Sequence, residues 1–334
     1  MSLTLELDGW VDGARVLSTV RPPPLDRWQL HAADEARVTV RAHSAGRGDG
    51  QAATGGGDDV CVVVRQRPRS IAASRMGVGA VFWEGELALA AFLAAQPRHR
   101  WQGATCVELG AGPGLAGLVV ARMMRGGGGG AGRVVITDLA KVLPLIRENI
   151  ALNGFSNGGK DGGGKDGGSG HQGVQVLAAE LEWGREGYGE EAAAVARLAN
   201  GGREGGGGGK SGGGKSGGGG ESGGAGGGRN GAAGNAGGVD WVIAADVTYV
   251  DGDGESPSTE HFVRACHALC GDKTRVLIAL EVRAAGARDD LRRHGAAMFE
   301  RGGLLAGGAL PAGFCREAGE HLEVYEFGGP RRGV

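Results

Sequence analysis

The stretch "VELGAGPGLAGLVVARM", Val107 to Met123, runs from an apolar strand through a glycine turn into an amphipathic helix. A turn that joins a strand's carboxyl end to a helix N-terminus through glycines lets backbone approach a ligand closely. It can be registered in two ways. Gly110-x-Gly112-x-Gly114 follows Glu108 at the strand end, whereas Gly112-x-Gly114-x-x-Gly117 satisfies the dinucleotide fingerprint. The second register begins three residues beyond Leu109 and puts Pro113, which has no N–H to donate, inside the phosphate turn. The first fits better. Asp138, which ends the next strand "RVVITD" (Arg133 to Asp138), suits either, because a carboxylate there accepts hydrogen bonds from both ribose hydroxyls. Turn, helix and acid together point to a nucleoside ligand.

The rest of the chain narrows the class. Of 334 residues 72 are glycine, so the core is smaller than the length implies. A net charge of −2 gives no electrostatic footprint for nucleic acid or an anionic membrane. The N-terminus "MSLTLELDGW" lacks a basic region followed by an apolar run, and nothing approaches the roughly 18 apolar residues of a membrane span. The expectation is a soluble, unsecreted monomer of the cytoplasm or nucleus. Five cysteines, an odd number mostly in apolar settings, read as reduced thiols. Cys266, His267 and Cys270 have no second ligand pair, so no metal site is expected.

Glycine is concentrated in tracts. Residues 155–173 and 200–238 contain almost nothing to bury, and ordering them would cost about 1–2 kcal/mol per residue of backbone entropy. They read as disordered insertions, which one domain tolerates because loop closure grows only logarithmically with length. "GKSGGGKS", Gly209 to Ser216, satisfies the phosphate-loop pattern only as a product of the surrounding repeats, with neither strand before it nor helix after.

Between the tracts strands alternate with helices. Val60–Gln66, "ATCVELG", "RVVITD", "VQVLAAEL", Asp240–Val247, Thr274–Val282 and "HLEVYEF" read as strands. "GELALAAFLAAQ", "GLAGLVVARMM", "VLPLIRENIALNG", "STEHFVRACHALCG" and "RDDLRRHGAAMFERGG" read as helices. The pattern predicts an α/β fold, a Rossmann-like, doubly wound, mostly parallel seven-stranded sheet, with ligands at the strands' carboxyl ends. Residues 1–70 form a β-rich N-terminal segment, with short strands around "LTLEL" and "ARVTV", expected to pack on the domain formed by residues 71–334. His31 in that segment reads as a surface residue.

In order, "VELGAGPGLAG", "ITDL", "LEWG" (Leu181 to Gly184), "AADVTY" (Ala244 to Tyr249) and "LEVR" (Leu280 to Arg283) resemble the seven-strand S-adenosylmethionine-dependent methyltransferases. The subgroup they most resemble is the methyltransferase-like lysine methyltransferases of non-histone proteins. The telling signals are D-x-x-Y after the fourth strand of the domain and the upstream "VFWEGELALAAFL". The resemblance implies S-adenosyl-L-methionine as cofactor and a protein presenting a lysine as substrate. It implies that Glu108, Gly110, Gly112 and Gly114 cradle the cofactor's methionine and ribose, and that Asp138 holds the ribose hydroxyls. Trp183 would lie beside adenine, Trp83 would close the pocket, and Asp246 and Tyr249 would line the mouth where the amine enters, with Asp246 also touching cofactor. The chain departs from the family pattern in its insertions, which precede the adenine-side segment and the D-x-x-Y strand and put the substrate face in question.

Each aromatic has a plainer competitor. Trp83 and Trp183 also suit core packing, Tyr249 a strand-end anchor, and Glu281 with Arg283 a structural ion pair. Asp246 is hard to place as core, because buried carboxylates need partners. A small-molecule methyltransferase, a non-catalytic module that keeps the fold and a nicotinamide oxidoreductase are the rival readings.

Overall fold

The computed structural model describes residues 2–11, 14–20, 27–41, 59–69, 76–125, 132–155, 173–201, 238–248, 256–283, 285–307 and 322–333. At its centre lie β5 (Thr105–Leu109), β6 (Arg133–Asp138), β7 (Gln175–Glu180), β8 (Val239–Ala245) and β9 (Cys270–Glu281), all parallel. An antiparallel pair, β10 (Phe299–Gly307) and β11 (Leu322–Pro330), completes a seven-stranded sheet of order β10-β11-β9-β8-β5-β6-β7. These strands are near-continuous apolar runs because helices cover both faces. On one face lie α2 (Glu84–Ala94), α3 (Leu115–Arg125) and α4 (Leu143–Leu152); on the other lie α5 (Tyr188–Ala199), α6 (Pro257–Leu269) and α7 (Ala285–Met298). β5 is flanked by β6 on one side and β8 on the other, so the strand order reverses at β5. That reversal opens the crevice in which a doubly wound sheet holds its ligand.

Val60–Gln66, expected as a strand of the β-rich segment over residues 1–70, forms one over Val60–Arg65: β4, the edge of an antiparallel sheet of order β2-β1-β3-β4 built with β1 (Ser2–Val11), β2 (Ala14–Val20) and β3 (Ala33–Arg41). A short helix, α1 (Arg27–Ala32), leads into β3. The helix expected over "RDDLRRHGAAMFERGG" stops at Met298 and the chain continues as β10, because Phe299 buries against Phe327 of β11. α5 was not anticipated; it follows the tryptophan segment and buries Ala192, Val195, Ala196 and Ala199.

β4 exposes an unpaired edge, and α4 covers it with amide side chains. Asn149 accepts from the Arg65 N–H at 2.8 Å and donates to the Arg65 carbonyl at 3.0 Å and the Pro113 carbonyl at 2.9 Å. Asn153, one turn on, accepts from the Val63 N–H at 3.1 Å and donates to its carbonyl at 2.6 Å. Two residues of strand span about 6.6 Å and one helical turn about 5.4 Å, so asparagines four apart match alternate strand residues. The pair serves the edge as another strand would.

The glycine tracts attach away from the crevice. The described residues around them end in a helix before each tract and resume at or just before a strand: α3 and β6 around 126–131, α4 and β7 around 156–172, α5 and β8 around 202–237. Helix-to-strand connections of parallel strands lie at the strands' amino ends, opposite the crevice. At the longest tract Asn200 Nδ2 donates to the Gly238 carbonyl at 3.2 Å, so its two ends meet. The concern that these insertions interrupt the substrate face is therefore not supported by where they leave and rejoin the fold. The expectation of disorder within them falls outside the described residues.

Among the described residues no helix is long and apolar enough to cross a membrane.

Replacing Asn149 with alanine strands buried backbone groups of β4 and Pro113, each costing about 1–3 kcal/mol. Asn149→Ala is expected to lose at least about 2 kcal/mol of unfolding free energy in chemical denaturation. A loss below about 0.5 kcal/mol would show that solvent or repacking serves the edge equally well.

Candidate functional site

The turn after β5 is shaped by glycine. Gly110, Gly112 and Gly114 have φ of 59°, 51° and 87°, in the left-handed region that side chains avoid. A Cβ on Gly110 would also lie 2.7 Å from the Trp183 ring. The first register is thus the one that makes the turn. Gly117, third glycine of the other register, has a separate purpose: a Cβ there would come within 2.5 Å of Glu108 Oε2.

Carboxylates occupy the first turn of α3. Glu86 accepts from the Leu115 N–H at 2.6 Å, and Glu108 accepts from the Gly117 N–H at 2.9 Å. Burial pushes the Glu86 carboxyl well above its usual range, and the charges of Glu108 and Asp246 add to this. Burial likewise raises Glu108 to about 8. Helix N-termini favour negative charge, so the dipole of α3 offsets part of the cost of burying these acids.

A cavity of 420 Å³ opens at the carboxyl ends of β5, β6, β7 and β8. Gly110 and Gly112 line it, with Asp138 at the end of β6, Trp183 after β7, Asp246 after β8, Trp83 just before α2 and Glu86 in its first turn. Asp138 accepts from the Gly112 N–H at 2.8 Å and the Leu139 N–H at 2.7 Å, which ties the end of β6 to the turn. Burial raises it to about 6, against the lowering effect of these bonds and of Lys141. Asp246 accepts from the Gly85 N–H at 2.7 Å and the Glu281 N–H at 2.8 Å. It too is raised to about 6 by burial, with Arg283 opposing. Its φ of 49° makes it the single non-glycine residue in the left-handed region among the described residues. Two backbone donors from different elements hold it there, a pattern expected where function fixes a side chain's aim.

Of the residues singled out in the sequence, Trp83, Gly110, Gly112, Asp138, Trp183 and Asp246 line this cavity. Glu108 and Gly114 do not. Glu108 turns under the helix toward Gly117, and Gly114 sits against Ile136, so both support the turn from behind. Tyr249 lies outside the described residues. Glu281 and Arg283 do form an ion pair, and Arg283 stacks over the Trp83 ring at 4.7 Å. His31 is not on the surface: it is 9% exposed, edge-on to Trp83 with ring centres 4.3 Å apart. Glu86 was missed. Its signal was an acid two residues into α2, where burial on all sides leaves only a partner elsewhere to satisfy it.

The raised acids have a consequence for stability. Asp138 takes up its proton near pH 6 when folded but near 3.8 otherwise, so folding is favoured by protonation and loses this contribution as pH climbs from about 4 through 6. The stability of the native protein minus that of Asp138→Asn is expected to fall over this interval, measured by denaturant melts at several pH values. A constant difference would mean that Asp138 binds its proton equally in the folded and unfolded chain.

Comparison with known proteins bears on this site. Residues 71–189 match a family model described as lysine methyltransferase. Calmodulin-lysine N-methyltransferase of Arabidopsis thaliana is 36% identical over 102 residues, 30% of this chain, and the match spans 27% of that relative's length. Among solved structures, human methyltransferase-like protein 13 in complex with S-adenosylhomocysteine is 15% identical, with 73% of this chain and 78% of that one covered at a TM-score of 0.35. A TehB-like methyltransferase from Corynebacterium glutamicum is 12% identical over 78% and 93%, with a TM-score of 0.35. The segment that supplies the glycine turn, Asp138 and both cavity indoles is the one that matches the lysine methyltransferase family.

Proposed function

We propose that the chain is an S-adenosylmethionine-dependent methyltransferase that modifies the lysine amine of a protein. The observation that carries this reading is the occupation of the first turn of α3 by Glu86 and Glu108. A dinucleotide site leaves those N–H groups free for pyrophosphate. Here the donors are taken by carboxyl groups, which leaves none for a diphosphate, and the negative charge at the cavity comes from Asp138 and Asp246, which suits a cationic ligand. Asp138 retains lone pairs for ribose hydroxyls, and Trp183 offers a flat apolar wall for a purine. The match to the lysine methyltransferase family over residues 71–189 supports the same reading and speaks against a nicotinamide enzyme.

The bound cofactor supplies a methyl group already activated on a sulfonium. The protein's work is to align the amine with it, and such proximity is worth about 7–11 kcal/mol of barrier. A lysine with pKa about 10.4 must also lose a proton, which costs about 4 kcal/mol near neutrality. Asp246, anchored on Gly85 and Glu281, attracts the arriving ammonium with the lone pairs it has left. The same charge opposes deprotonation, so Asp246 is assigned to recognition and Tyr249 to orienting the amine, with the proton passing to water. The relative's name gives the first substrate to try: calmodulin.

Calorimetric titration with S-adenosylhomocysteine is expected to show micromolar binding that Asp138→Ala abolishes, while NAD binds neither protein. No binding by folded native protein would end the methyltransferase reading. Once binding is shown, incubation of calmodulin and cell extract with S-adenosylmethionine, read by peptide mass spectrometry, is expected to give methylated lysine. Asp246→Asn is expected to raise KM for the protein substrate at least about tenfold. An unchanged KM and kcat would remove Asp246 from recognition.

A further inference from the structure

The cavity rim is shared with the N-terminal sheet. Gln66, fully buried just after β4, donates from Nε2 to the Leu30 carbonyl at 2.9 Å and the Ala33 carbonyl at 3.0 Å. Its Oε1 accepts from the Phe82 N–H at 2.9 Å. One side chain therefore pins both ends of the His31 segment to the residue that precedes Trp83.

His31, so held, places its ring edge against the Trp83 indole, and its Nε2 lies 3.9 Å from the buried Glu84 carboxylate. Arg283, after β9, covers Trp83 at 4.7 Å and approaches the same carboxylate at 3.8 Å. Trp83 Nε1 donates to the Val78 carbonyl at 3.1 Å, which fixes the remaining direction of the ring. Two segments distant in sequence, those of His31 and Arg283, and the nearby Val78 carbonyl thus converge on one indole that lines the cavity. A tryptophan has only two rotatable side-chain bonds, and contacts with its ring on several sides leave one orientation.

We propose that His31 and Gln66 are positioning residues for Trp83, so that the N-terminal antiparallel sheet sets the cavity's affinity for its ligand. The inference rests on the cofactor reading above for its affinity readout, and on the ring geometry alone for its spectroscopic one. Gln66 fixes where the His31 backbone lies relative to Phe82; the imidazole then limits the indole. Loss of the imidazole leaves Trp83 free to swing, and an affinity factor follows from the fraction of time spent in the binding orientation.

The test uses the full chain labelled with 5-fluorotryptophan, with Trp83→Leu to assign the Trp83 fluorine resonance. His31→Ala is expected to shift or broaden that resonance and to raise the Kd for S-adenosylhomocysteine about 3- to 10-fold. His31→Phe, which restores a ring edge, is expected to recover affinity to within about twofold. In the Trp83→Leu background, His31→Ala is expected to change Kd by less than about twofold, because the residue it acts through is gone. An unmoved Trp83 resonance in His31→Ala, or the same loss of affinity with and without Trp83, would overturn the proposal. Should His31→Ala melt below the assay temperature, His31→Leu, which fills the space without a ring edge, takes its place. Native protein that binds no S-adenosylhomocysteine would refute the cofactor reading, and the resonance alone would then decide this one.

Discussion

Two carboxylates on the first turn of α3 hold the site together. Glu86 comes from α2 and Glu108 from the end of β5, and both accept from amides of the helix that follows the glycine turn. The arrangement fixes α2, β5 and α3 relative to one another at the point where strand order reverses. Asp138 and Asp246 repeat the device at neighbouring strands, each accepting two backbone N–H groups. These four acids are therefore also structural staples. Their raised affinities for protons are the cost of that placement. A positively charged ligand would relieve it, which ties the proposed ligand preference to the groups that staple the fold.

The centre of the fold was legible in the sequence because parallel strands with both faces covered are written as unbroken apolar runs beside amphipathic helices. Val107–Met123, Asp138 and the strand before Asp246 all read correctly on that basis. Val60–Gln66 also read correctly as a strand, but its β-branched run says nothing of which neighbour it pairs with; it lies antiparallel to β3, and amides on α4 cap its other edge. β10 was hidden by a helical pattern that continues past Met298, and only burial of Phe299 between His267 and Phe327 breaks it.

The site was legible in its glycines and less so in its acids. A positive φ requirement leaves glycine in the sequence, whereas the direction in which a carboxylate points leaves no trace. Glu108 belonged to the turn, as its spacing indicated, but faces away from the cavity, and Glu86 looked like an ordinary first-turn acid. His31 was the largest miss. Polarity alone placed it outside, while a buried glutamine 35 positions later draws its segment inward.

The contact between Asn200 and Gly238 closes a long glycine-rich tract at its base. To the sheet, that excursion is equivalent to a connection of ordinary span, and its length is nearly free of thermodynamic cost. The chain therefore contains a natural graft point on the side opposite the crevice. A fluorescent reporter or affinity module spliced between those two residues would sit at the amino ends of the strands, leaving the ligand-holding turns as they are.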